Sequence, residues 1–146
     1  MTDKGTHSMT IFGSTEEIYT LATPFLERVM ANGLTQKLEK IGSFRIVYAN
    51  PDACFLLDSR TEEALRVRVG DAAAVDDADV QLSMSADDGH RLLLGSLNIK
   101  KSLATRKVKV SGPLIKLLSL LPAFEPIYLE YRSYLTEIGR PELLDY

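Results

Sequence analysis

The stretch from Gly112 to Phe124, "GPLIKLLSLLPAF", limits what this chain can become more than any other. It carries one charge, Lys116, and one hydroxyl, Ser119, among leucines and an isoleucine placed so that no side of a helix stays polar. A bilayer-spanning helix needs about 20 mostly apolar residues, and Lys116, Pro122 and Glu125 interrupt this run well before that. The segment therefore has to find apolar partners elsewhere in the fold. Its six large aliphatic side chains, at about 1.5–3 kcal/mol each, represent roughly 9–18 kcal/mol of burial. The whole net stability of a domain is about 5–15 kcal/mol.

A chain of 146 residues, 45% hydrophobic and 25% charged, has the composition of an ordinary globular domain and can build a sizeable core without staples. The net charge of −3 argues against global attraction to nucleic acid. One cysteine, Cys54, excludes an internal disulfide framework and fits a reducing compartment. The opening "MTDKGTHSMT" lacks the apolar run of a secretory signal, so the expectation is a cytoplasmic protein.

Residues 1–13 read as a flexible tail and 14–146 as one domain. Helical pattern starts at "STEE", where Ser14 and Glu17 have the spacing of a capping box. Ile18, Leu21, Ala22, Phe25 and Val29 continue it, with Pro24 expected to kink or divide the helix. A second helix is expected at "LTQKLEKIG", ending at Gly42. The period then switches to alternation in "FRIVYAN", "ACFLLDS" and "EALRVRVGD", short-linked strands and hence antiparallel. Leu65, Val67 and Val69 alternate with Arg66 and Arg68, which predicts one dry and one wet sheet face. An acidic loop leads to a fourth strand with Val80, Leu82 and Met84 on one side, and Ser85 caps the next helix. Val108 and Val110 point inward from a fifth strand that ends at Gly112. Past the prolines at 122 and 126, Phe124, Ile127, Tyr128, Tyr131, Tyr134, Leu135 and Ile138 form one helical stripe, expected to pack on the N-terminal helices.

Several sharper chemistries are discounted. Asp76, Asp77 and Asp79 lack the bend glycine and closing glutamate of a calcium loop. Cys54 sits in an apolar strand pattern with nothing nearby to activate it, and His90 shares a helix side with Leu93, Leu94 and Leu97, as a histidine at the edge of a core does. With His7 the only other histidine, no zinc cluster, metal or cofactor is expected.

The segment "ADVQLSMSADDGHRLLLGSLNIKKSLATRKVKVSG", 78–112, resembles the sterol carrier protein type 2 (SCP-2) domain family. Asp79, Val80, Leu82, Met84, Ser85, Gly95, Leu97, Asn98, Lys101, Lys107, Val108, Lys109, Val110 and Gly112 match it in unbroken register, and the order of elements extends the likeness from about Phe44 to Leu121. Ile99 and Arg106 depart from it, standing where the family carries proline and glycine, so a left-handed turn is not expected at Arg106.

What the resemblance implies is an α+β fold, a five-stranded, mostly antiparallel sheet with helices packed on one face and an apolar tunnel between them. The implied function is non-enzymatic binding or carriage of an apolar lipid such as a fatty acid, acyl-coenzyme A or sterol. The candidate ligand-binding residues are Val80, Leu82, Met84, Leu93, Leu97, Val108, Val110, Leu114, Leu117, Leu118, Leu121 and Phe124. Lys100, Lys101, Arg106, Lys107 and Lys109 form a candidate patch for membrane headgroups or acyl-coenzyme A phosphates. Expected partners are the lipid, transiently an anionic membrane or a lipid-metabolising enzyme, and, as a further option, a second copy; nucleic acid is not among them. The alternative reading is an interaction or oligomerisation module with a filled cavity that uses the Phe124–Ile138 stripe as its contact.

Overall fold

The computed structural model describes residues 10–31, 42–58, 66–74 and 77–146. Helix α1, Thr15–Ala31, is capped by Ser14, whose Oγ accepts from the Glu17 amide at 3.1 Å. The Glu17 carboxylate reaches past the cap residue to the amide of Gly13, a near-variant of the expected box. The helix runs unbroken through Pro24. Pro24 and Thr20, whose carbonyl loses its helical partner, both stand on the exposed side, where solvent can satisfy that oxygen. The helix expected around Leu34–Ile41 lies outside the described residues. Packing also begins before Ser14: Phe12 is buried, and the Ile11 amide donates to Asp87 at 2.8 Å.

Strands β1 (Ser43–Ala49), β2 (Ala53–Asp58), β3 (Arg66–Val69), β4 (Val80–Ser85) and β5 (Lys109–Ser111) form one sheet in the order β3-β2-β1-β4-β5. Three pairings are antiparallel, as expected for short links, and β1 with β4 is parallel. The parallel pair is possible because thirty residues, β2 and β3 among them, separate β1 from β4, enough to bring the chain back in the same direction. Asp79 and Ser43 pin its start: the Ser43 amide and hydroxyl donate to one Asp79 oxygen at 3.0 and 3.2 Å, and the Asp79 amide donates to Ser43 Oγ at 2.9 Å.

Alternation puts Phe44, Ile46, Tyr48, Phe55, Leu57, Val80, Leu82 and Met84 on the inner face, all buried. The outer face is only partly wet. Leu56 and Asp58 are buried there, and the short helix α2 (Asp71–Ala74), which occupies the start of the expected acidic loop, packs against β2 and β3. Arg68 pairs with Asp58 at 2.6 Å, and Arg45 donates to Gln81 and to the Ala73 carbonyl.

Helix α3 (Ala86–Leu94) starts under the Ser85 cap, with the Asp88 amide 3.1 Å from Ser85 Oγ. Helix α4 (Ile99–Ala104) is capped by Asn98, and α5 (Leu114–Leu120) follows β5. A tight turn at Leu121–Phe124 leads into α6 (Glu125–Glu137). The stripe on α6 packs inside the chain: Phe25 lies 4.8 Å from the Tyr131 ring and 5.3 Å from that of Tyr134, and Tyr134 donates to the Leu21 carbonyl. Arg28 clamps the outer edge through Glu130 at 2.8 Å and through Glu137. With Phe124, Ile127, Tyr131, Tyr134 and Leu135 buried, the stripe cannot serve as the intermolecular contact of the alternative reading. Arg106 departs from expectation too, adopting φ +61° where glycine was thought necessary. Hydrogen bonds from the amides of Thr105, Arg106 and Val108 to the carbonyls of Lys101, Leu103 and Ser102 wrap the turn and hold the arginine in the left-handed region despite a cost of about 1–2 kcal/mol.

Close approach decides one glycine. A Cβ on Gly89 would stand 2.2 Å from the buried Tyr48 ring, which is how α3 comes down onto β1. Gly89→Ala is expected to destabilise the fold by about 1–3 kcal/mol in urea unfolding. Gly13→Ala, with nothing within 4 Å of the added carbon, should move the midpoint very little; equal effects would refute this account of the α3–β1 contact.

Candidate functional site

The candidate ligand-binding residues fall into three layers. Val80, Leu82 and Met84 from β4, Leu93 from α3, Val108, Leu117 from α5 and Phe124 are buried in one cluster. Leu97, Val110 and Leu121 are half-buried against it. Leu114 and Leu118 are 49% and 41% exposed, and between them Ile115 reaches 76%. The described residues therefore cover the leucine-rich segment only in part. Among the described side chains of α5, Leu117 alone is buried; α5 is a seven-residue helix next to β5, and α6 takes the place against α1 and α3.

Along α5, Leu114, Leu117, Leu118 and Leu121 have the i, i+3, i+4, i+7 spacing of one stripe. Its inner edge lies in the core and its outer edge in water, so the stripe forms an apolar rim on the inner side of the sheet. Behind the rim, Phe44 meets Phe124 with ring centres 6.2 Å apart. Phe44, Ile46, Tyr48, Phe55 and Leu57 share this interior and were not among the candidates; the alternation in "FRIVYAN" and "ACFLL" was the signal for them. No described helix is long and apolar enough to cross a membrane.

The five cationic candidates are all exposed. Lys100 and Lys101 lie on α4, Arg106 and Lys107 on the turn, and Lys109 on the outer face of β5 opposite Ser83. Lys107 and Lys109 meet at a shallow groove of about 210 Å³ floored by the ends of β1 and β4, including Val47, Ser83 and Met84.

His90 is not at a core edge but inside it, 1% exposed. Its Nε2 lies 2.7 Å from the Leu143 carbonyl and its Nδ1 2.8 Å from the Tyr131 hydroxyl. A carbonyl can only accept, so Nε2 carries the proton and Nδ1 accepts from Tyr131; the ring is neutral and both nitrogens are used. Burial holds its pKa below the ordinary 6.5, against the opposing pull of the Leu143 carbonyl. Both partners are more than forty positions away, so no local pattern announces them. Cys54, half-buried on the outer face, has its thiol pKa pushed up by burial, away from a reactive thiolate.

A family model described as the SCP-2 sterol transfer family matches residues 25–125. No curated protein matches the chain. Among solved structures, sterol carrier protein domain 2 of Helicoverpa armigera superposes with a TM-score of 0.59 at 17% identity, covering 80% of this chain and 96% of that one. Sterol carrier protein 2 from Yarrowia lipolytica, in its apo form, gives 0.51 at 23% identity, with coverage of 85% and 97%. Sterol carrier protein 2 like 2 from Aedes aegypti gives 0.52 at 19%, with 72% and 97%. At these identities the likeness is one of fold.

Since the unfolded chain takes up a proton on His90 near pH 6.5 and the folded chain only at lower pH, stability rises with pH across that window and falls as pH drops below 6.5. Thermal melts of the native chain should lose midpoint from pH 7 to 5 more steeply than those of His90→Gln, which starts lower at pH 7. Parallel profiles would show that His90 takes up its proton equally in both states and overturn the assignment.

Proposed function

We propose that this chain, which belongs to the SCP-2 sterol transfer family, binds and carries an apolar lipid without performing chemistry on it. The hydrocarbon of a fatty acid, acyl-coenzyme A or sterol-like ligand would run from the rim of α5 inward, between the inner sheet face and the helices, past Val80, Leu82, Met84, Leu93, Leu97, Val108, Val110 and Phe124.

The observation that carries this reading is the half-sealed stripe on α5. Leu117 is fully buried while Leu114 and Leu118, on the same helix side, remain 49% and 41% exposed. A hydrocarbon chain laid along the stripe would complete the burial that the polypeptide leaves undone. An acyl chain of about fifteen methylenes brings on the order of 12 kcal/mol at ~0.8 kcal/mol per buried CH₂, before the costs of association and ordering are subtracted. Micromolar binding requires about 8 kcal/mol, so this apolar term alone is sufficient in scale, with a few polar groups left to set orientation.

Two measurements test the reading. Organic extraction of the purified chain followed by mass spectrometry should recover lipid in stoichiometric amount. Leu118→Arg should weaken uptake of a fluorescent fatty acid at least about tenfold, since a desolvated guanidinium costs more than the 1.4 kcal/mol that a decade represents. Leu129→Arg on α6, at a side chain 71% exposed and away from the rim, should bind as the native chain does. Both variants replace exposed residues, so both should keep the native circular dichroism; a lipid-free extract together with equal uptake by the two would sink the proposal.

A further inference from the structure

Charge is divided along this chain with unusual sharpness. Residues 89–124 contain seven of the seventeen Lys and Arg residues and none of the twenty Asp and Glu. The remaining sequence thus carries ten cations against twenty anions. This acid-free span runs from α3 through α4 and β5 to α5, and β5 is the last strand of the sheet. Arg91 is held by Asp88 at 2.9 Å on α3, which leaves Lys100, Lys101, Arg106, Lys107, Lys109 and Lys116 along the β5 edge.

The same segment bears the main apolar exposure of the described residues. Leu114 and Ile115, 49% and 76% exposed, and Leu118 at 41%, occupy consecutive turns of α5, one Gly112–Pro113 link after the lysines of β5. Three large aliphatic side chains left in water together ask for a hydrocarbon partner. The lysines of the same span ask for an anionic one, and the net negative remainder of the chain would be repelled by the same surface. Nucleic acid answers the charge and not the apolar part, because the exposed apolar groups are aliphatic and the span's aromatic residue, Phe124, is buried.

We propose that the β5 edge is a membrane-docking face, on which Leu114, Ile115 and Leu118 enter the interfacial layer of an anionic bilayer while Lys100, Lys101, Arg106, Lys107 and Lys109 hold its headgroups. The inference rests on the lipid-carriage reading and adds where the cargo is exchanged: docking lays the outer edge of the α5 rim against the bilayer, so that a hydrocarbon tail passes between membrane and protein without crossing water. Basic residues near an anionic surface attract it additively and the attraction fades within a Debye length. Insertion of an apolar helix side supplies the part of the binding that salt does not screen.

The test is flotation of the full chain with vesicles of phosphatidylcholine alone and of phosphatidylcholine mixed with phosphatidylglycerol. The chain should float with the mixed vesicles and not with the neutral ones, and high salt should release it. Ile115→Glu, and separately Lys107→Glu with Lys109→Glu, should each lower partitioning at least about tenfold. Leu129→Glu, at an equally exposed apolar residue outside the span, should not. Uptake of the fatty-acid probe without vesicles should survive Ile115→Glu, since Ile115 stands off the rim stripe. A chain that docks but takes up no probe defeats the carriage reading and leaves the docking face standing. Uptake of probe with partitioning indifferent to vesicle charge overturns the docking face, as does self-association that Ile115→Glu abolishes, which would assign these residues to a second copy of the chain.

Discussion

The helical layer of this protein closes around one phenol. Tyr131 is 1% exposed, lies against Phe25 of α1, and donates its hydroxyl to His90 of α3, which in turn donates to the carbonyl of Leu143 near the end of the chain. Two helices and the final turn thus share one chain of hydrogen bonds, with α1 packed against it through Phe25, inside an otherwise apolar cluster. A buried hydroxyl without a partner costs about 1–3 kcal/mol, whereas a fully satisfied chain of donors and acceptors specifies a single arrangement. Burial drives the Tyr131 pKa far up and the His90 pKa down, so both stay neutral in ordinary conditions and the network keeps its direction. Phe12 adds an edge-on contact to His90 at 5.5 Å, which brings the residues ahead of α1 to the same point.

This closure explains why α5 is left at the rim. On the inner face of the five-stranded sheet α1 packs against β2 and β3 and α3 against β1 and β4, and α6 packs against both helices. The family match ends at Glu125, where α6 begins, so the helix bearing Tyr131 and Tyr134 comes after the matched stretch. Anchored by Tyr131 within, by the Tyr134 hydroxyl on the Leu21 carbonyl and by Arg28 between Glu130 and Glu137 outside, α6 fixes the position of the Leu121–Phe124 turn that precedes it. That turn holds Phe124 in the core against Phe44. The leucine-rich helix must then span the short distance from β5 to the turn, and seven residues give it only one side to bury.

Local chemistry made much of this legible. The caps at Ser14, Ser85 and Asn98 satisfy helix amides within three residues of themselves, and strand alternation in "FRIVYAN" and "VQLSMS" reports which side is dry because the period of two is fixed by the pleat. What stayed hidden was long-range. Nothing near Asp79 in sequence indicates Ser43, thirty-six positions away, which sets the parallel pair. Arg66 and Arg68 point to a wet outer face, but Leu56 and Asp58 are buried on it and α2 packs against β2 and β3. Summing hydrophobicity over "LIKLLSLL" shows that partners are needed but not whether the chain itself supplies them. Of the candidate wall residues, those on strands were placed by alternation, and those on α5 depended on where α6 lay.

The lysines along β5 have a second physical explanation that has to be weighed against docking. An edge strand offers unpaired amides and carbonyls to any passing strand, and short length and lysine are common ways of blunting it. At three residues, with Lys109 at its start and Lys107 just before it, β5 fits that description. Edge protection, however, accounts for charge only where the strand is. It gives no reason for Lys100 and Lys101 on the preceding helix, nor for the lack of any acid from Gly89 to Phe124, since a glutamate blunts an edge as well as a lysine does. It also predicts polar neighbours, and the next helix instead holds Ile115 at 76% exposure. The opposite edge shows what protection alone looks like: β3 carries Arg68, and an acid on the neighbouring strand, Asp58, pairs with it at 2.6 Å. Cations whose own segment has been cleared of acids, one short link away in sequence from bare aliphatic side chains, are what the proposed docking on a negative, greasy surface calls for.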